Sequence, residues 1–153
     1  MSSGGLVEVV VTKHCHLNEF EELASFEDQK VIDLLRLLFR FYKISEKSIE
    51  VCFMSSSQHT RAHKVFLNNS EETDVIAFPY HDSDCIGEIL VNVEVACKRS
   101  KDYPHTALFE LLLYVVHGAL HLIGFDDHLD ADIREMRAAE KKIMSLAVEK
   151  NIV

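Results

Sequence analysis

The stretch HGALHLIGFDDH, residues 117–128, places three histidines and two aspartates within twelve positions. His117 and His121 stand four apart. On a helix that spacing puts their Cβ atoms roughly 5–6 Å apart on one face. Two imidazoles so placed can converge on one cation, at about 2.0–2.1 Å from the nitrogens if it is zinc. The residues around them, HTALFELLLYVVHGALHLI (105–123), are apolar nearly all round, which marks a buried helix. Burial makes charging two neighbouring imidazoles costly, and the neutral imidazole is the form that binds metal. Gly118 is expected to let another backbone or a substrate approach the helix, and Gly124 to end it with a left-handed residue. The chain then reverses, so Phe125, Asp126, Asp127 and His128 can swing back toward the pair. A single buried histidine is ordinarily a hydrogen-bonded core residue. A same-face pair followed by clustered acids reads as a metal site, because buried histidines and carboxylates rarely meet without a cation.

Gly124 also falls where zinc hydrolases of the HExxHxxGxxH kind place their glycine. Gly118 stands where that motif has its glutamate, so the helix-borne general base of such a peptidase is missing.

The elements that must position these residues can be read from periodicity. Residues 6–12 (LVEVVVT) predict a strand. Residues 27–43 predict a helix with Val31, Leu34, Leu35, Leu38 and Phe41 on one face. Residues 48–54 predict a strand that turns Ile49, Val51 and Phe53 to one side. Ser55, Ser56 and Ser57 offer an N-cap for a short helix to about Leu67. A strand over 74–79 is stopped by Pro79, and a strand from 86 passes into a helical turn between Val93 and about Arg99. The last helix, 129–150, carries Ile133, Met136, Ile143 and Leu146 or Ala147 on one stripe. The order β-α-β-α-β-β-α-α predicts an α+β (α/β-like) fold: a mixed sheet of about four strands packed with helices, around a buried central helix bearing the HxxxH pair. No repeat or linker divides residues 1–153, so a single domain is expected.

Composition narrows the function classes. A net charge of −9 argues against a general nucleic-acid coat, though not against a local basic groove or a metal that supplies positive charge. No apolar run reaches about 18 residues, so no membrane partner is expected. The opening residues MSSGGLVEVV lack a secretory pattern. Cys15, Cys52, Cys85 and Cys97 form no CxxC pair and read as reduced thiols of a cytoplasmic protein. His14-Cys15-His16 reads as a surface turn, and Glu19, Glu21 and Glu22 as a solvated face.

TDVIAFP (73–79), IGEILVN (86–92) and HGALHLIGFDDH (117–128), in that order, resemble the YbeY family of bacterial metal-dependent endoribonucleases, the rRNA maturation factors. The resemblance implies one metal per chain, usually zinc, held by three histidines. It also implies cleavage of single-stranded RNA in small-subunit (16S) rRNA 3′-end maturation and ribosome quality control, with the small ribosomal subunit or its proteins as partners. His117 and His121 match the first two ligand positions. The third slot, ten after the first, is Asp127 here, with His128 one later. Either the loop bulges and His128 ligates, or Asp127 binds through a carboxylate oxygen; His128 is the expected ligand, because the pattern also has an acid before its last histidine. Where many members carry a basic residue upstream of TDVIAFP, this chain has Leu67 or its neighbours. Arg61 and Lys64 are the candidates to supply substrate-binding charge instead.

The expected chemistry is metal-assisted phosphodiester cleavage, with Asp126, Asp127 or Glu88 as the candidate catalytic carboxylate. Two other readings compete. One is a zinc hydrolase of another substrate such as a peptide. The other is a non-catalytic ribosome-associated module, whose metal is closed in by His117, His121, Asp127 and His128 together.

Overall fold

The computed structural model describes residues 5–153. Its sheet contains β1 (Glu8–Lys13), β2 (Ser48–Met54), β3 (Val75–Pro79) and β4 (Cys85–Asn92), in the order β1-β2-β4-β3. β1 and β2 are parallel, as are β2 and β4, while β3 runs antiparallel to β4 at the edge. Five helices accompany it: α1 (Asp28–Phe41), α2 (Ser56–Leu67), α3 (Val93–Ser100), α4 (Ala107–Leu122) and α5 (Asp130–Glu149). This is the mixed four-stranded α+β arrangement predicted from the sequence.

Strand alternation divides the side chains between two faces. Ile49, Val51 and Phe53 of β2 and Ile89 and Val91 of β4 join the main core with α1, α4 and α5. Cys52, Met54, Ile76 and Leu90 point the other way and form a small second cluster with Ala62 of α2 and Phe78. α2 is well specified locally. Ser55 accepts from the Gln58 backbone N–H, and Gln58 Oε1 accepts from the Ser55 backbone N–H at 2.9 Å, a reciprocal cap. Asn68 then closes the helix with φ 52°.

α4 lies across the middle of the main core and touches α1, α3, α5, β3 and β4. Its start is capped by Thr106, whose hydroxyl accepts from Phe109 N at 3.1 Å. A Cβ added to Gly118 would lie 2.7 Å from Ile89 Cγ2 and 3.2 Å from Val75 Cγ2. Of the two expected at Gly118, another part of the chain or a substrate, it is the sheet that comes close, and the glycine lets α4 sit down on it. Gly124 follows the helix with φ +113°, the positive φ expected of it.

Two predicted core positions are corrected. Phe41 at the end of α1 and Ile133 near the start of α5 are exposed. The buried stripe of α5 is instead Met136, Ala139, Glu140, Ile143, Met144 and Ala147. Two 3-10 turns, Leu17–Glu19 and Glu21–Leu23, sink Leu17 and Leu23 into the core and leave the acids outside. No helix among the described residues is long and apolar enough to cross a membrane.

Candidate metal centre

α4 turns one polar stripe out of an otherwise apolar surface. Glu110, Tyr114, His117 and His121 follow one another at intervals of four, three and four, so they share a face. At its N-terminal end Glu110 is buried and pairs with His105 Nε2. Burial, reinforced by the neighbouring Glu110, pushes the Tyr114 hydroxyl well above its ordinary pKa.

At the C-terminal end the two histidines face each other, Nε2 to Nε2 at 3.0 Å, with their rings at 84°. Both Nδ1 atoms are already committed. His121 Nδ1 lies 3.1 Å from the carbonyl oxygen of Phe125, and His117 Nδ1 lies 2.8 Å from Glu140 Oε1. A carbonyl or carboxylate oxygen can only accept, so Nδ1 carries a proton in both rings and both Nε2 atoms are turned inward. Two ring nitrogens that converge in this way are held together by a shared proton or by a metal cation between them.

Asp127 completes the triangle. Its Oδ2 is 3.5 Å from His117 Nε2 and 3.3 Å from His121 Nε2. A tetrahedral cation with bonds of about 2.0–2.1 Å has its donors about 3.3–3.4 Å apart. Separations of 3.0, 3.3 and 3.5 Å therefore match one face of such a coordination shell, with the fourth vertex left to another ligand. These three side chains are half-buried and form one of the two histidine-carboxylate groups of metal-binding size among the described residues.

His128 does not take the expected third place. Its side chain is 83% exposed, and its Nε2 lies 3.3 Å from Asp126 Oδ1. Asp126 Oδ1 also accepts from the Asp127 backbone N–H at 2.8 Å, while Asp127 faces the histidine pair and His128 faces solvent. Asp126, Asp127 and His128 make up the second group at the rim.

Three further candidates lie away from the pair. Glu88 is on β4 between Gly87 and Ile89, which face α4, so alternation turns it to the α2 side. There it accepts from the Tyr80 hydroxyl at 3.1 Å and, after burial itself, helps raise that hydroxyl's pKa to about 12. Arg61 and Lys64 are exposed on α2, also across the sheet from α4. The His14-Cys15-His16 run joins neither metal-sized group.

The sequence reading missed Glu140 and Arg137. Glu140 is buried in α5, and Arg137 Nη1 donates to both of its oxygens, at 3.1 and 2.9 Å. The signal was present: an acid four residues after Met136 and three before Ile143 lies within the helix's apolar stripe.

An α+β domain whose central helix brings two histidines and a carboxylate together has the donor set of a metal-binding protein. The sequence profile of the family described as endoribonuclease YbeY matches residues 15–147. The endoribonuclease YbeY of Acholeplasma laidlawii is 34% identical over 135 residues, covering 86% of this chain and 94% of that protein. The one from Desulfitobacterium hafniense is 30% identical over 142 residues, covering 92% of this chain and 83% of that protein. The solution structure of TM1509 from Thermotoga maritima superposes with a TM-score of 0.66 at 23% identity, covering 94% of this chain and 91% of that one, and shares the fold. This chain belongs to the endoribonuclease YbeY family.

Proposed function

We propose that residues 1–153 act as a single-domain, metal-dependent endoribonuclease. In this reading one divalent cation, zinc by the donor set, is held between His117 Nε2, His121 Nε2 and an Asp127 carboxylate oxygen. The substrate is single-stranded RNA, with the small-subunit rRNA 3′ end as its physiological target, the small ribosomal subunit or its proteins as partners, and the cytoplasm as its location. The observation that carries the metal assignment is the triangle of donors, 3.0 to 3.5 Å apart, with both Nδ1 atoms already engaged.

A cation held there supplies Lewis-acid polarisation of a phosphodiester and a nucleophile competent near neutral pH. The protein's part is to keep both imidazoles neutral and aimed, and to hold them on a helix too well packed to shift. Asp126 at the rim, with His128 beside it, is the carboxylate we assign to take a proton from the attacking group. Glu88 is not assigned that role, because the sheet stands between it and the histidines. The peptidase alternative is disfavoured: a glutamate at Gly118 would point into Ile89 and Val75 rather than toward the histidines.

The test is metal content per chain, by elemental analysis, in wild type, Asp127→Ala and His128→Ala, together with cleavage of a single-stranded RNA. Wild type and His128→Ala are expected to retain one metal and Asp127→Ala to lose it. Metal loss only in His128→Ala would overturn the assignment of the third ligand. A wild-type protein that takes up no metal would overturn the reading as a whole.

A further inference from the structure

We infer that Glu140 is a positioning residue of this centre, fixing the tautomer and orientation of His117 so that its Nε2 lone pair stays on the cation. This rests on the metal reading above and adds to it a residue from another helix.

The side chain of Glu140 is 4% exposed, a setting in which a carboxylate persists only with strong partners. It has two. Arg137 comes from the same helix, three residues earlier, and its side chain is 68% exposed. That guanidinium would reach Glu140 equally well with the carboxylate in solvent, so it does not account for the burial. The other partner, His117 Nδ1 at 2.8 Å, does: the carboxylate is inside because the imidazole is. Glu140 Oε1 bonds both partners, and Oε2 is held by Arg137 alone. Arg137 thus clamps the carboxylate from the solvent side with its oxygen turned toward the ring.

The two histidines are consequently unequal. His121 donates to a neutral carbonyl, whereas His117 donates to a carboxylate. A carboxylate behind a ligating imidazole fixes which nitrogen carries the proton and raises the basicity of the other. Glu140 therefore makes His117 the stronger donor of the pair. It does so across 23 residues of chain, by pinning α5 to α4 at the site.

The experiment compares zinc affinity, by competition with a chromophoric chelator, in wild type, Glu140→Gln and Arg137→Ala. The His117 tautomer is read by ¹⁵N–¹H correlation NMR in the metal-free wild-type protein. Glu140→Gln keeps the shape and removes the charge, and is expected to weaken zinc binding about 10- to 100-fold. Arg137→Ala is expected to weaken it less than Glu140→Gln does, since the carboxylate keeps its bond to His117; a loss larger than that of Glu140→Gln would count against the role of Glu140. The metal-free protein is expected to show His117 protonated at Nδ1. Wild type that binds zinc beside a Glu140→Gln protein of equal affinity would overturn the role of Glu140 and leave the metal site standing. Wild type that binds no zinc would remove the metal reading itself. The tautomer measurement needs no variant, so it decides even if Glu140→Gln folds poorly: a His117 ring protonated at Nε2 overturns the inference.

Discussion

The two faces of the sheet differ in filling and in chemistry. The core on the α4 face takes in residues of α1, α3, α4 and α5, and the polar stripe of α4 ends there in the histidine pair. The α2 face is covered over part of its width by one helix. Val65, Phe66 and Leu67 near the end of that helix are exposed, as is Val10 on β1. The histidine pair stands on the more fully packed of the two faces. Alternation sends neighbours in sequence to opposite faces, so Glu88 and Ile89 belong to different parts of the molecule although they adjoin in the chain.

The strongest way to break this contrast is to remove the pair. His117→Ala with His121→Ala is expected to abolish metal uptake and lower RNA cleavage about a thousandfold or more, since a metal supplies several kcal/mol of transition-state stabilisation; activity retained in a single-turnover assay would end the metal-dependent account. Next is the platform. Gly118→Val drives a side chain into Ile89 and should cost about 1–3 kcal/mol in denaturant unfolding, whereas Phe66→Ala on the opposite face should stay within about 1 kcal/mol.

The α2 face makes its own contribution through pH. His59 is fully buried, with Nε2 on the Leu90 carbonyl at 2.9 Å and Nδ1 unpartnered. Burial lowers its pKa from 6.5. The unfolded chain therefore binds a proton more readily than the fold does, and this site's contribution to stability falls as pH drops below about 6.5. Melting curves of wild type and His59→Phe between pH 5 and 8 should show a shallower acid-side loss in the variant; parallel curves would contradict the assignment. The smallest effect is expected for Glu88→Gln, with RNA cleavage changed by about twofold or less. A hundredfold loss would show that chemistry reaches through to the α2 face after all.

Much of this was legible in the sequence because it is local. Alternation at Ile49, Val51 and Phe53 gave β2 with its correct inner face, and Ser55 gave the start of α2. The 3.6-residue spacing of Val31, Leu34, Leu35 and Leu38 gave α1. The pairing of His117 with His121 needed only a helix. What could not be read depends on long-range packing or on loop geometry. Which face of β4 meets α4 decides the place of Glu88, and nothing near Glu88 says so. The placing of Asp127 toward the pair and His128 toward solvent is a matter of loop geometry that residue spacing does not specify. Glu140 meets His117 only because α5 folds back along α4. The 3-10 turns that bury Leu17 and Leu23 are too short to show a period.

The third donor comes from the connection between α4 and α5, the only part of the triangle not fixed by helical register. Two donors are thus set by geometry that a point mutation cannot slide, and the third by chain length. Deleting one of the two aspartates would turn GFDDH into GFDH and bring a histidine to the tenth position after His117, which in the proposed coordination exchanges an oxygen donor for a nitrogen. Carboxylate oxygen and imidazole nitrogen favour different metals. In that proposed coordination, the preferred ion is open to revision by a single-residue insertion or deletion in the loop between α4 and α5.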